Sequence, residues 1–503
     1  MKVKNMVIYL TITFLLILNI ITPTSYAEQD TIYVIFVWHH HQGINIWSNA
    51  VYHGPWAYIH TYKDEFTKDY KGGAYYIHAY LLMKHPRIKM VYHLSPSLLW
   101  QWNYALKYGY LTAQGTYVAP SDVRLQKVNE TLKLYQELVR EGRIEILSDY
   151  FNHPIPGYIA FKYEWGKEIL REELRWGLNV TREVMKVDVD GVWTPEMSFC
   201  MRIGELYAEE GIKYTVLDGK HHFSSAEGDK GTIYEPYLLN TSSGMIYVFF
   251  RDQELSDYIG FQTKFKNKEE ADAAAKGFVE RILSLKEVSV KPKLLVLALD
   301  GENWMYNSPY TAYFLDKLME YLEERYPEIQ TITLREAVNM SKNPRILTYI
   351  PLNSWAGGHW VWTSKGENME QWNLINKAAS DLMKIKEKYG EKSLVYHEAL
   401  FSMFLTLNSD VIHKEYTYLT HTRAWSKEVY YLLIAGEKEA ERLNKLGLNL
   451  RATGKGPTSL DEAGSIPVYE ENHYWKLTLP VLAFVISVIV AWLYKNKYKS
   501  ESH

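Results

Sequence analysis

Lys293-Leu294-Leu295-Val296-Leu297-Ala298-Leu299-Asp300-Gly301-Glu302-Asn303-Trp304 is the stretch that decides how this chain folds. After the lysine the run is apolar up to Leu299, as in a strand buried on both faces within a parallel sheet. Asp300 ends the run and Gly301 breaks it. Gly191-Val192-Trp193 follows the same plan, leading into Thr194-Pro195-Glu196-Met197, where Pro195 closes the strand. Each segment puts a carboxylate at the carboxyl end of a strand, where β/α folds gather their reactive groups.

Outward from these two segments, strand-like runs alternate with helical stretches. The strands are expected at 33–38, 89–94, 143–147, 191–193, 214–217, 245–250 and 294–299. Helical periodicity fills 121–140, opened by Ser121 and Asp122 as caps, and then 164–185, 203–210 and 268–286. Repeated β-then-α units predict an α/β domain, a barrel or incomplete barrel, over residues 28–350. Beyond Pro351 the pattern becomes helical, at 370–388, 393–407 and 426–446, and predicts a helical domain over 351–450.

Composition narrows the function. With 503 residues, 47% hydrophobic and 23% charged, the chain can build a large core. A net charge of −3 gives no reason to expect nucleic acid as a partner. The aromatic share of 15% suits either bulky core packing or platforms for sugar rings, and composition does not choose between them. Cys200 is the one cysteine, so no internal disulfide forms. Sequons stand at Asn129, Asn179, Asn240 and Asn339.

The ends predict location. Lys2 and Lys4, the apolar run Met6 to Ile21 and the small-residue end at Ala27 have the form of a signal peptide over 1–27. Residues 451–476, rich in Gly, Ser, Thr and Pro at their start, suit a stalk. Residues 477–494 carry no charge and span roughly 27 Å as a helix, enough to cross a bilayer core. Lys495, Lys497 and Lys499 then fix residues 495–503 as a cytoplasmic tail. The expected protein is exported and membrane-anchored, with its body outside.

Three groups of residues are suited to chemistry. His39, His40 and His41 end the first strand, where alternation sends at most two the same way. A zinc site needs further spaced ligands. The sequence shows neither a His-Glu-x-x-His nor a second compact cluster, so no metal ligand is assigned and no cofactor is expected. Asp149, Tyr150, Asn152 and His153 crowd the end of the strand that holds Glu145. Glu196 and Asp300 form the best catalytic pair, since glycosidic cleavage needs one carboxylate to attack and one carboxylic acid to protonate the leaving oxygen. An Asp-x-Glu turn such as Asp300-Gly301-Glu302 also suits a structural pair or a metal site.

His41-Gln42, Gly142-Arg143-Ile144-Glu145 with His153-Pro154, Trp193-Thr194-Pro195-Glu196 and Asp300-Gly301-Glu302 stand in the order of the motifs of glycoside hydrolase family 57, and the chain from about 32 to 407 resembles that family. Asn353-Ser354-Trp355-Ala356-Gly357 is similar to a fifth family region. Pro55-Trp56, His60, Asp64, Pro96-Ser97-Leu98-Leu99 and Asn303-Trp304 resemble its amylopullulanase-type branch. The resemblance implies an incomplete seven-stranded (β/α) barrel and a retaining enzyme on pullulan, starch or glycogen-type α-glucans, cleaving α-1,6 and also α-1,4 bonds. It implies Glu196 as nucleophile and Asp300 as acid/base. His41 and His153 would hold sugar hydroxyls and Trp355 would line the cleft; Gln42, Trp193, Glu302 and Trp304 are also expected at the substrate. To act as an acid at neutral pH, Asp300 must be raised by burial and by Glu196 and Glu302. Gly43 stands where the family usually has proline, and Thr194, Met197, Phe199 and Ala298 are further departures. Two other readings stay open: a metal-dependent carbohydrate deacetylase or mannosidase, and a tethered glucan-binding protein without turnover.

Overall fold

The computed structural model describes residues 30–445 except 45, 48–49, 54–55, 65–66, 113–115, 291 and 416–417. The expected signal peptide, stalk, membrane helix and cytoplasmic tail lie outside the described residues. Among those residues no helix is long and apolar enough to cross a membrane.

Seven strands carry the architecture: β1 (Ile32–His40), β2 (Met90–Leu94), β3 (Ile144–Leu147), β4 (Gly191–Trp193), β5 (Tyr214–Asp218), β6 (Gly244–Arg251) and β7 (Lys293–Asp300). They coincide with the seven apolar runs, each extended by up to two residues at an end or trimmed by one. β7 pairs with β1 in parallel from Ile32↔Lys293 to His39↔Asp300, and β1 continues through β2 to β3. β4, β5 and β6 form a second parallel ladder.

Two seams join the ladders. At the first, Ser148 bridges Val192, and the Trp193 amide donates to the Ser148 carbonyl at 2.8 Å. At the second, the Asp252 amide donates to Val296 at 2.8 Å, and Arg251 Nη1 donates to the Ala298 carbonyl at 2.9 Å. Seven parallel strands thus follow one another in chain order, closed by seams rather than full ladders. β1 and β7 are buried along almost their whole length, which is why their sequences read as apolar runs rather than as alternation.

The covering helices follow their periodicity. Asp122 caps the helix Val123–Arg140 by accepting from the Arg124 amide at 2.9 Å, and Leu125, Val128, Leu132, Tyr135 and Leu138 make its inward stripe. Beyond the barrel, Gly366–Tyr389, Leu394–Thr406 and Leu419–Ala435 pack as the helical segment. The single helix expected over 426–446 is instead two, broken at Gly436, whose φ of 52° with ψ of −125° suits a residue without Cβ. Further strands go beyond expectation, and three of them extend these sheets. Ile329–Thr331 lies beside the start of β1, Tyr237–Thr241 runs antiparallel to β6, and Arg345–Tyr349 extends that sheet.

Candidate active site

Glu196 follows β4 in a tight turn with φ of 55°, and Met197 follows with φ of 46°. Holding a side chain in the left-handed region costs about 1–2 kcal/mol per residue. The turn is fixed from outside. The Trp355 amide donates to the Glu196 carbonyl at 3.1 Å, while Phe199 and Asn353 exchange two backbone hydrogen bonds at 3.0 and 3.1 Å. So anchored, the carboxylate receives two donors: Ser409 Oγ at 2.7 Å from Oε1 and Trp355 Nε1 at 2.9 Å from Oε2. Burial, then Asp410, outweighs these donors and lifts Glu196 to about 8.

Asp300 ends β7 beside His39 of β1. Burial, then Glu302, raises its carboxyl to about 7, while Arg251 pulls the other way. The expected rise at Asp300 thus has burial as its main cause and Glu302, rather than Glu196, as the main charge. Gly301 is required next: a Cβ there would lie 2.2 Å from Cε1 of the fully buried His40 ring. Its amide donates to the His39 carbonyl at 2.7 Å, and its carbonyl accepts from His78 Nε2 at 2.8 Å.

Glu302 points inward and is 3% exposed. Its proton can be placed by elimination. Tyr135 donates its hydroxyl hydrogen to the Tyr75 carbonyl at 2.9 Å, so it accepts from His40 Nε2 at 3.3 Å. His40 Nδ1 is then bare, 3.3 Å from Glu302 Oε2, and burial keeps His40 from becoming a cation. Glu302 must supply the proton. That agrees with its own rise to about 8, driven by burial. Gln42 Nε2 reaches the other Glu302 oxygen at 3.5 Å, so Gln42 serves Glu302.

The histidines divide as strand alternation requires. His40 faces the tyrosine-rich core, while His39 and His41 share the other side with parallel rings 5.7 Å apart. His41 stacks on His153 at 4.0 Å and pairs through Nε2 with Asp410 at 3.2 Å. Burial lowers His41, but Asp410 and the nearby carboxylates outweigh it, so His41 is raised. Asp410, whose side chain keeps 57% of its surface accessible, is held low by His41. His153 reaches Ser409 Oγ through Nδ1 at 3.0 Å. Among the described residues, no group of three or more His, Cys, Asp or Glu side chains is arranged to hold a metal ion.

Trp355 is only partly buried and donates to Glu196. Two other candidates are corrected. Trp193 is 0% exposed, stacked on His39 at 4.7 Å, and Trp304 is 1% exposed, stacked on Trp38 at 5.4 Å. Neither ring offers a face to a sugar; both support the floor of the site. Glu145 is likewise occupied, accepting from the Tyr214 hydroxyl and from the Arg335 amide. Sequence reasoning missed Ser409, Asp410 and Arg251. Arg251 ends β6, binds Asp218 Oδ2 at 2.7 Å, and lies 5.6 Å over the Trp355 ring. Its position at a strand's carboxyl end was the available signal; Ser409 and Asp410, which open the one-turn helix Ser409–Ile412, had none.

Comparison with known proteins bears on the family and the fold. The alpha-amylase of Pyrococcus furiosus is 26% identical over 259 residues, 50% of this chain and 34% of that protein. The 4-alpha-glucanotransferase of Thermococcus litoralis is 24% identical over 270 residues, 52% of this chain and 35% of that protein. The chain thus spans only about a third of the length of these curated relatives. Among solved structures, the alpha-amylase AmyC of Thermotoga maritima superposes with a TM-score of 0.60 at 13% identity, covering 82% of this chain and 96% of that one. The Thermococcus litoralis 4-alpha-glucanotransferase gives 0.58 at 18% identity, covering 82% and 60%. These likenesses show a shared fold. Residues 35–351, more than half of the chain, match glycosyl hydrolase family 57, and the chain belongs to that family.

Proposed function

We propose that this protein is a retaining enzyme of α-glucans, with Glu196 as nucleophile and Asp300 as acid/base. The observation that carries this is the holding of Glu196: two donors grip its oxygens while Asp300, itself a raised carboxyl, is near enough for its charge to act on Glu196. The donors favour the anion that attacks the anomeric carbon. As that carbon gains positive charge, the oxocarbenium-like transition state draws Glu196 further toward its ionised form. Asp300, bordered by other carboxyls, holds the proton for the leaving oxygen and later takes one from water.

We take α-1,6 bonds of pullulan or branched starch as the substrate, with α-1,4 bonds also cleaved. The amylopullulanase-type sequence features support this preference. Export and anchoring through the two terminal apolar segments would place the activity outside the cell membrane; protease shaving of intact cells tests that placement.

Covalent trapping tests the roles. A glycosyl fluoride needs little protonation of its leaving group, so Asp300→Ala should still become glycosylated, with the sugar on Glu196. Azide should restore turnover to Glu196→Ala with inverted product. A label on Glu302, or normal turnover of Asp300→Ala on natural glucan, refutes the assignment. Pullulan products then fix the bond: maltotriose for α-1,6, panose or isopanose for α-1,4, and a ladder of longer products for transfer.

A further inference from the structure

We propose that Asp149, closed inside the barrel, shares a single proton with Glu196 through Ser409 and His153, and so acts as a positioning residue that takes the proton the nucleophile must lose. The proposal rests on Glu196 being the nucleophile.

The groups lie in one line. Ser409 Oγ is 2.7 Å from Glu196 Oε1 and 3.0 Å from His153 Nδ1, and His153 Nε2 faces Asp149 Oδ2 at 3.9 Å. The serine has one hydrogen and cannot serve both neighbours. In one arrangement protonated Glu196 donates to Ser409, Ser409 donates to His153 Nδ1, and the Nε2–H of His153 faces ionised Asp149. In the other, Ser409 donates to ionised Glu196, His153 donates through Nδ1 to Ser409, and Asp149 holds the hydrogen against bare Nε2. Between them three hydrogens each move one step: Glu196 to Ser409, Ser409 to Nδ1, Nε2 to Asp149. Three O–H or N–H bonds break and three form. Net, one proton passes from Glu196 to Asp149, and the total charge is unchanged.

The last link, at 3.9 Å, is too long for a hydrogen bond and requires a tilt of the ring or carboxyl. Both ends favour closing it. Asp149 is 0% exposed and His153 1%, and both Asp149 oxygens and His153 Nε2 lack a hydrogen-bond partner. Unpaired buried polar atoms cost free energy until they are joined. The surroundings also disfavour extra charge. His153 is stacked against His41 at 4.0 Å and His39 at 4.9 Å on β1, with His93 of β2 at 6.3 Å. Asp149 meets His93 Nε2 at 3.3 Å and also feels His41. From the helix Gly166–Met185, buried Glu173 holds the Asn152 amide at 3.1 Å and feels Asp149 as a like charge. Burial holds Asp149 well above the usual carboxylate range and His153 well below the usual imidazole range, so one shared proton is favoured over a buried ion pair.

The test is a double-mutant cycle read by the pH profile of kcat/KM on an aryl α-glucoside, with Asp149→Asn and Ser409→Ala, alone and together, in the full chain. Asn cannot take up a proton. Asp149→Asn should move the limb set by Glu196 upward by about one pH unit, a tenfold change in equilibrium, and lower kcat/KM at pH 7 about tenfold. In the S409A background it should change neither. Equal shifts in both backgrounds, or none in either, overturn the relay, as does stoichiometric zinc in the wild-type protein that Asp149→Asn abolishes. If D149N does not fold, the ¹⁵N ring shifts of His153 in the wild type, assigned with His153→Gln, decide. A tautomer that switches as Glu196 titrates supports the relay, and a fixed tautomer overturns it. Covalent labelling separates the two layers, since a sugar trapped on Glu196 together with an additive cycle leaves the nucleophile standing and removes only the relay.

Discussion

Trp355→Phe isolates one hydrogen bond to Glu196, the proposed nucleophile. The indole N–H lies 2.9 Å from Glu196 Oε2, whereas the backbone bond from the Trp355 amide to the Glu196 carbonyl does not depend on the side chain. Phenylalanine keeps an aromatic face for Arg251, which lies 5.6 Å over the present ring, and loses only the donor and some area. Hydrogen bonds to charged groups contribute about 1.5–3 kcal/mol. At about 1.4 kcal/mol per tenfold, the rate of glycosyl-enzyme formation should fall about 10- to 150-fold. Glu196 should also become harder to ionise, moving the limb of kcat/KM that reports it to higher pH. Pre-steady-state release of the aryl leaving group measures the glycosylation step directly. An unchanged burst rate with an unchanged limb would show that Trp355 lines the cleft without supporting the nucleophile, and the argument from donor geometry would fail.

Other outcomes follow from the same atoms. With Glu196 raised to about 8 and Asp300 to about 7, the productive combination, Glu196 ionised and Asp300 protonated, is one form of the singly protonated pair. kcat/KM should therefore be bell-shaped with flanks near those values, and a profile flat across them, or centred in the acid range, contradicts the assignment. Glu302 is raised from 4.5 to about 8 in the folded protein, so its contribution to stability is full at low pH and is lost as pH climbs through that interval. The slope is on the order of 1.4 kcal/mol per pH unit. Glu302→Gln should remove that slope in urea unfolding series, and parallel wild-type and variant curves would show Glu302 ionised in the fold. Gly43→Ala puts a Cβ 2.4 Å from Asn408 Nδ2 and should destabilise the protein by about 1–3 kcal/mol while lowering kcat, measured by thermal unfolding and turnover; a neutral result would mean Asn408 moves freely.

What could be read from the chain, and what could not, divides on a physical line. The seven barrel strands were visible because burial on both faces leaves a continuous apolar run. Arg345–Tyr349 was not, because only Leu347 of its five residues is buried and the rest face outward. Glu196 and Asp300 stood out because a carboxylate at or just past the carboxyl end of a buried strand has few structural uses. Trp193 and Trp304 looked the same as Trp355 in the sequence, yet stacking against His39 and Trp38 closes the first two while Trp355 reaches Glu196. Ser409 acts on Glu196 from 213 positions away, a distance at which no local pattern carries information.

Gly43 shows how that long-range partnership is built. Asn408 lies against Gly43 and is 1% exposed; its Nδ2 donates to the Asn152 carbonyl at 2.9 Å, and its Oδ1 accepts from the Asp410 and Val411 amides at 2.8 and 3.3 Å. One side chain thus binds the loop after β3, the end of β1 and the turn that presents Ser409 and Asp410. A proline or any larger residue at 43 would claim the space Asn408 fills. The departure from the usual family residue and the wedge from the helical segment therefore depend on each other. The barrel alone offers carboxyls with raised affinity for protons, Glu196 and Asp300 among them. The hydroxyl that steadies Glu196 and the carboxylate that pairs His41 both come from the helical segment, through a turn that Asn408 holds in place. The functional unit is the barrel and the helices together, and a barrel cut near residue 350 would keep its strands and lose Ser409, Asp410 and Trp355.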